Sequence, residues 1–272
     1  LPRLALAANV HERPDFYSRS MFYNWSTPWK YNRVPFKEWR ERNRMAKGFI
    51  LENRHVYGDI VRRNREEFDK HPEYKALVRG HRWTNPSRNR KFCISNPGLQ
   101  QLVVDDALAR SREDPGADSI SMEPSDGDDW CECGDCGALG SISDQVVLLA
   151  NRVAEALNSP GQRPKYVGIL AYNRHAAPPS IAVHPNVIVS VATKMRGTRQ
   201  PLDEQMRGWR ERGATLGVYD YLSVVDWDWN KPRRAIGGRP FQLAQRIPDF
   251  YNHGARFLTG EAGDAWGPYG PG

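Results

Sequence analysis

Short apolar runs alternate with amphipathic segments along most of the chain. Eight runs are apolar, or alternate between apolar and polar residues with a period of two, which is typical of strands in a sheet. Most segments between them repeat apolar residues at three- and four-residue spacing, which predicts helices with one buried face. The predicted strands are residues 18–23, 48–54, 91–95, 119–122, 166–172, 187–193, 216–221 and 256–260.

Predicted helices separate most of these strands. Ser143 is the predicted N-cap of the helix that ends near Leu157, and Pro248 interrupts the pattern of the last helix. Between the fifth and sixth strands the sequence is rich in proline, which predicts a loop rather than a helix. The predicted helices are residues 35–47, 56–68, 99–107, 143–157, 202–209 and 243–250.

The alternation of strands and helices predicts a parallel sheet, because parallel neighbours need a crossover connection. Eight such units within 272 residues fit an α/β fold, a closed (β/α)₈ TIM barrel trimmed at both ends, which forms a single barrel domain over residues 1–272. A doubly wound open sheet is the rival, but no glycine-rich phosphate-binding turn follows the first strand. A barrel would carry its site at the carboxyl ends of the strands.

Composition and charge exclude several classes of function. Hydrophobic residues make up 39% and charged residues 26%, which is typical of a globular chain, and no apolar run approaches the roughly 20 residues of a membrane helix. The net charge is +7, but the basic residues are mixed with Glu and accompany no recognised nucleic-acid motif. We therefore expect no membrane span and no nucleic-acid partner, while the oligomeric state stays open.

Polar and aromatic side chains follow nearly every predicted strand. Nine Trp and eleven Tyr offer faces that can stack on sugar rings. Glycoside hydrolysis needs two carboxylates on opposite sides of a sugar-sized pocket, and such groups are frequent at these strand ends. A carbohydrate is therefore the expected substrate. The predicted substrate-binding residues are His55, Asn96, Trp130, Tyr172, Arg174, Tyr221 and Trp266.

The acidic run after the fourth strand supplies the predicted proton donor, Glu123. Packing beside Trp130 would favour its protonated form. Asp126, Asp220 and Glu261 compete for the second catalytic role, although a neighbouring aspartate can instead orient a substrate acetamido group as an internal nucleophile. This hypothesis requires Glu123 to open onto the same cavity as Glu261 or Asp220. The alternative function is a non-catalytic carbohydrate-binding barrel.

The cysteines form a separate feature. Cys131, Cys133 and Cys136 form a C-x-C-x-x-C run, and Cys93 lies in the third predicted strand. Four thiolates can hold zinc tetrahedrally, although C-x-C spacing is unusual for zinc. A disulfide in an exported protein and free buried thiols are the other interpretations. We expect a local structural clip, no catalytic metal and no cofactor.

Four segments of the chain carry a family resemblance: HPEYKAL (71–77), KFCISNP (91–97), SMEPSDGDDWCECGDC (121–136) and LAYNRHAAPP (170–179). The DG-x-x-WCEC-x-x-C signature is their most specific part. Together they resemble a bacterial family catalogued as a domain of unknown function. That family is related to the α-glucuronidases and β-hexosaminidases, and part of it is recognised as endo-β-N-acetylglucosaminidases acting on N-glycans.

The resemblance implies a TIM barrel in a secreted or periplasmic carbohydrate-active protein, with additional domains outside this chain. It places Asp126 and residues 130–136 in the signature, and Glu123 where related glycosidases keep their acid. Glu261 falls where such relatives have a polar substrate contact. We therefore expect a glycoside hydrolase of a complex glycan or polysaccharide, similar to α-glucuronidases or β-N-acetylglucosaminidases.

Overall fold

The computed structural model describes residues 14–23, 38, 40–45, 48–84, 91–161, 163–222 and 239–262. Its main sheet consists of six strands, all paired in parallel, and a separate two-stranded hairpin lies outside it. The strands are β1 (Ser18–Tyr23), β2 (Leu77–Val78), β3 (His81–Arg82), β4 (Ser119–Ser121), β5 (Tyr166–Ala171), β6 (Val187–Ala192), β7 (Thr215–Tyr221) and β8 (Phe257–Ala262). The order in the main sheet is β1-β8-β7-β6-β5-β4, and β2 pairs with β3.

Helices connect the parallel strands and pack on one face of the sheet. They are α1 (Tyr57–Arg63), α2 (Arg65–Lys70), α3 (Pro97–Glu113), α4 (Gly134–Ala138), α5 (Ile142–Leu157), α6 (Leu202–Glu211) and α7 (Pro240–Asn252), with 3₁₀ turns at Pro72–Tyr74 and Asn173–His175. Outward-facing strand residues such as Ile169 and Val218 share the core with Val153 of α5 and Trp209 of α6. None of the described helices is long and apolar enough to cross a bilayer.

The sheet is an open, curled half-barrel, so the predicted closed eight-stranded barrel is wrong. The parallel strand order is confirmed, and so is the loop between β5 and β6, which contains only a 3₁₀ turn. The described residues of the predicted strands 48–54 and 91–95, however, do not join the sheet. Without these two strands in the sheet, its edges do not meet.

Residues 50–54 are extended beside β4, but side chains rather than a backbone ladder hold them there. Ser119 Oγ accepts a hydrogen bond from the Glu52 amide at 2.7 Å, and Ser121 Oγ donates to the Arg54 carbonyl at 2.5 Å. These hydroxyls satisfy backbone groups that a neighbouring strand would otherwise satisfy. The prediction of a strand at residues 48–54 is therefore wrong.

The segment 91–95 pairs with residues near the hairpin instead of with the sheet. The Ala76 amide donates to the Lys91 carbonyl at 3.1 Å, and the Cys93 amide donates to the Tyr74 carbonyl at 2.9 Å. A single bridge, between Lys75 and Phe92, results. This short antiparallel contact takes the place of the predicted third strand.

Small residues on the concave face leave room for residues 50–54 to cross it. A Cβ added at Gly168 of β5 would collide with the Glu52 carbonyl oxygen. Asn53 Nδ2 donates to Ser190 Oγ of β6 at 3.2 Å. Residues 50–54 of the same chain therefore lie against the concave face at β5 and β6.

Two predicted helices differ in detail. The predicted helix 56–68 is broken at Asn64, where φ is −112° and the side-chain amide donates to the Ile60 carbonyl at 2.9 Å. Ser141, not Ser143, caps α5, while the Ser143 hydroxyl donates to the Ala177 carbonyl. The predicted helix 35–47 lies partly outside the described residues.

Candidate functional site

A cluster of inward-facing side chains lies at the carboxyl end of the sheet. Tyr219 and Tyr221 share one face of β7, because side chains alternate along a strand, and their rings meet edge to face with centroids 5.3 Å apart. Strands β5 and β6 contribute an apolar side chain each, and the residue after β5 adds a third phenol. This tyrosine cluster consists of Leu170, Tyr172, Ala192, Tyr219 and Tyr221.

Two carboxylates are bound to phenols of the tyrosine cluster. The Tyr172 hydroxyl donates to Asp126 Oδ1 at 2.8 Å, and the Tyr219 hydroxyl donates to Glu261 Oε2 at 3.0 Å. Asp126 lies in the loop after β4, whereas Glu261 lies near the end of β8. The curl of the sheet therefore brings two acidic groups from distant parts of the chain to one group of rings.

Burial and negative charge keep the phenols protonated. Burial raises the pKa of Tyr221, and the charges of nearby carboxylates, Glu261 first and Asp126 next, raise it further. Burial also raises the pKa of Tyr172, and the negative charge of Glu123 raises it further. Because a protonated phenol donates a hydrogen bond, Tyr172 remains a donor to Asp126 well into the alkaline range.

Its surroundings hold Asp126 in the ionised form. Burial acts to raise the pKa of its carboxyl, but hydrogen bonds from the Tyr172 hydroxyl and the Gly127 amide outweigh burial and leave the pKa below its usual value. The positive charges of His55 and Lys91 act in the same direction. Asp126 is also exposed, so its negative charge faces any ligand that enters the site.

Glu123 is enclosed rather than open to solvent. Its side chain is 0% exposed; Oε2 accepts from the Leu170 amide at 2.6 Å and Oε1 lies 3.1 Å from His175 Nε2. The ring of His55 approaches it to 4.0 Å. The buried carboxyl of Glu123 does not open onto a cavity shared with Glu261 or Asp220, so the requirement set for its predicted role as proton donor is not met, and its contacts favour a positioning role.

Lys91 is a buried cation beside the same loop. Its ammonium donates to the Ser125 carbonyl and lies 4.3 Å from the centroid of the Trp130 ring. Burial lowers the pKa of Lys91 to about 8, although the carboxylates, Glu123 first, act to raise it. Trp130 is itself buried and packs edge-on against His175. Its ring therefore packs against Lys91 and His175 rather than presenting a face to a sugar.

Most of these residues lie in a segment of the chain that matches a known protein family. A family model described as "Domain of unknown function (DUF4838)" matches residues 3–227. The chain belongs to the DUF4838 family. No curated protein matches it. The matched segment includes Glu123, Asp126 and Tyr172 but ends before β8 and Glu261, and the family description assigns no activity.

Two residues predicted for the site of this DUF4838 chain have other partners. Asp220 faces the helices, where its Oδ1 accepts from Thr193 Oγ1 at 2.6 Å and from Arg246 of α7 at 2.7 Å. Asn96 is the N-cap of α3, and its side chain accepts from the amides of residues 98 and 99. The structure therefore does not bring either residue to the tyrosine cluster.

The remaining predicted residues lie at the edge of the site or outside the described chain. His55 is partly exposed, its Nδ1 lies 2.6 Å from the Pro124 carbonyl, and its ring centroid is 6.1 Å from that of Tyr172. Arg174 is exposed in the 3₁₀ turn after β5. Trp266 lies outside the described residues.

Sequence reasoning missed Tyr219, His175 and Lys91. Period-two alternation in LGVYDY (216–221) places Tyr219 on the same face as Tyr221 and Asp220 on the opposite face, so this signal was available. His175 and Lys91 carry no such pattern. Their importance comes from contacts with Glu123 and Trp130, which only the folded chain reveals.

The side chains of the four cysteines of the DUF4838 chain lie together in one cluster. Their Sγ atoms all lie within 4.8 Å of one another, and three of the four side chains are buried. The group joins the segment 91–95 to the loop after β4, as a structural clip would. Cys93 belongs to this clip together with the predicted Cys131, Cys133 and Cys136.

Proposed function

We propose that this DUF4838 chain is a glycoside hydrolase of a complex glycan or polysaccharide, with Asp126 and Glu261 as its two carboxylates. One observation carries the proposal: both carboxylates accept hydrogen bonds from phenols of a single tyrosine cluster. Carboxylates that flank the scissile bond are what glycoside hydrolysis needs. Aromatic side chains beside them offer surfaces that pack on sugar rings.

The proposal gives the two carboxylates different roles. Hydrogen bonds from Tyr172 and Gly127 favour ionised Asp126, which suits a group that stabilises positive charge at the anomeric carbon, attacks it, or orients an acetamido group. Glu261 is assigned the remaining role of proton donor, which requires its carboxyl to be protonated when the substrate is bound. Of the other predicted carboxylates, Glu123 is enclosed and Asp220 is bound to Arg246.

Glu123 acts as a positioning residue in this proposal. It bridges the Leu170 amide of β5 and the His175 side chain, so it fixes the end of β4 against the loop that follows β5. Its charge also contributes to the raised pKa of Tyr172. Both effects maintain the hydrogen bond that holds Asp126.

Product analysis by mass spectrometry on a panel of glycans and polysaccharides tests the proposal. For a substrate that the wild-type protein cleaves, we expect Asp126→Asn and Glu261→Gln each to lower kcat/KM by roughly 10²- to 10⁴-fold. Asp220→Asn is the matched control, since it makes the same carboxylate-to-amide change on the helix-facing side. It should retain activity while lowering the melting temperature, because Arg246 loses its charged partner.

Two results would contradict the hydrolase. Full activity in both Asp126→Asn and Glu261→Gln, with circular dichroism showing folded proteins, would remove the carboxylate pair from the mechanism. Saturable glycan binding by the wild-type protein with no product from any member of the panel would instead support the non-catalytic carbohydrate-binding function.

A further inference from the structure

We propose that Cys93, Cys131, Cys133 and Cys136 bind one zinc ion with a structural role. The inference concerns a group behind the candidate site and does not depend on the proposed hydrolase activity. The four sulfur atoms come from two distant parts of the chain, the segment 91–95 and the connection between β4 and α5, in which Cys136 belongs to α4.

The spacing of the sulfur atoms fits one tetrahedral ion. A Zn–S distance of about 2.3 Å in a regular tetrahedron places the sulfur atoms about 3.8 Å apart. Here Sγ of Cys93 lies 3.7 Å from that of Cys133 and 3.9 Å from that of Cys136, and the Cys131–Cys133 separation is 3.5 Å. All four ligand atoms lie within 4.8 Å of one another.

This spacing disfavours the other uses of four cysteines. A disulfide brings two sulfur atoms to about 2.05 Å and needs one preferred partner for each, whereas Cys93 and Cys133 each have two other sulfur atoms at similar distance. In an iron–sulfur cluster the thiolates bind several different irons. A set of sulfur atoms that all adjoin one another is better matched to a single central ion.

Hydrogen-bond donors surround the sulfur atoms. The Leu77 amide donates to Cys131 Sγ at 3.3 Å, the Ser95 amide approaches Cys136 Sγ at 3.4 Å, and the Ser95 hydroxyl lies 3.2 Å from the same sulfur. Four thiolates around one divalent ion leave net negative charge, and donors aimed at the sulfur atoms stabilise that charge and orient the ligands.

A zinc ion would fix the position of the segment 91–95, which lacks the backbone pairing of a strand in the sheet. The segment 91–95 does not join the sheet and makes one short antiparallel contact, so little backbone pairing fixes it. Lys91 is two residues before Cys93, and Trp130 immediately precedes Cys131, so the ligands flank the cation–π pair of the candidate site. Zinc binding therefore ties one wall of the site to the rest of the domain.

Metal analysis of the intact wild-type chain, purified under reducing conditions, is the first test. We expect one zinc per chain by inductively coupled plasma mass spectrometry. Cobalt substitution should give the visible absorption and the sulfur-to-metal charge-transfer bands of tetrahedral cobalt thiolate. Cys133→Ser changes the least buried ligand and should lower the zinc content at least tenfold after dialysis. Asp135→Asn, an exposed change in α4 beside the ligands, is the matched control and should keep one zinc.

If the cysteine variant does not fold, measurements on the wild-type protein alone test the zinc site. A chelator should lower its melting temperature, and added zinc should restore it, because a structural ion contributes its binding free energy to folding. Four free thiols without metal, two disulfides in the non-reduced mass spectrum, or bound iron instead of zinc would each overturn the proposal.

Discussion

At the scale of single residues, the environment of Lys91 sets the most sharply defined electrostatic property of the site. Its side chain is 1% exposed, and burial lowers its pKa from 10.5 to about 8 despite the opposing charges of Glu123 and Asp126. In the folded chain the ammonium contacts the Ser125 carbonyl, to which it donates a hydrogen bond, and the ring of Trp130. The folded chain releases this proton at a lower pH than the unfolded chain does.

Lys91 should make the protein more stable as pH rises. Between about pH 8 and 10.5 the unfolded chain binds more protons at this site than the folded chain, so the free energy of unfolding increases with pH across that window. Relative to Lys91→Met, we expect the wild-type protein to gain about 2 kcal/mol between about pH 7.5 and 9.5. Urea unfolding of both proteins at several pH values measures the difference, and a constant difference would contradict the expectation.

The positions of the candidate residues are only partly predictable from the sequence. Asp126 and Glu261 were named from their positions after strands, and the structure places both at the tyrosine cluster. The enclosure of Glu123 could not be read, because it depends on the Leu170 amide, which is far away in sequence. Burial of a polar group is a property of the packed chain rather than of its local sequence.

At the scale of elements, the first turn of α5 is held by a single carboxylate. Asp144 accepts from the amide and hydroxyl of Ser141 in a capping box, and from the amide and hydroxyl of Ser180. Burial acts to raise the pKa of Asp144, but these hydrogen bonds lower it to about 2. One side chain thus ties the start of the helix to the loop before β6.

Replacing this carboxylate should have an effect that fades in acid. At neutral pH we expect Asp144→Asn to lower the free energy of unfolding by roughly 2 kcal/mol. The stabilisation by the ionised carboxylate is fully present above about pH 4 and is lost as pH falls through about 2. Asp203→Asn, in the first turn of α6 where no side chain caps the helix, should change stability by less than about 0.5 kcal/mol.

Acid unfolding followed by circular dichroism, with both variants compared to wild type, measures this effect. An Asp144→Asn deficit that persists unchanged at low pH would show that the carboxylate's charge is not its cause. The pattern Ser141-x-x-Asp144 was present in the sequence as a capping-box signature. The choice of Ser143 as cap missed it, because two serines stand near the start of the helix.

At the scale of the whole molecule, the half-barrel shape depends on what crosses its concave face. Hydrophobic periodicity identified all six strands that form the sheet but also predicted two more. Periodicity reports that a segment is extended and half-buried, and it does not report which neighbour takes its hydrogen bonds. The backbone groups of residues 50–54 bond to the hydroxyls of Ser119 and Ser121 instead of to a strand, so the sheet does not close into a barrel at this edge.

Gly168 tests this account of the shape. Gly168→Ala places a methyl group against the Glu52 carbonyl oxygen, and because backbone must move to accept it we expect a loss of about 1–3 kcal/mol in urea unfolding. Gly137→Ala in α4 is the control, since no atom lies within 4 Å of its added Cβ; it should be neutral or slightly stabilising. Equal effects of the two substitutions would mean that residues 50–54 do not cross close to β5.

The serine-mediated attachment of residues 50–54 has a consequence for how the interior can be entered. Because these residues hold to β4 through side-chain hydroxyls, detaching them leaves the parallel ladder between β4 and β5 whole. A local opening of residues 50–54, up to the backbone bridge between His55 and Glu123, would therefore uncover the inside of the curl without melting any of the six strands. A fully closed ring of strands would have to break its own ladder to do the same.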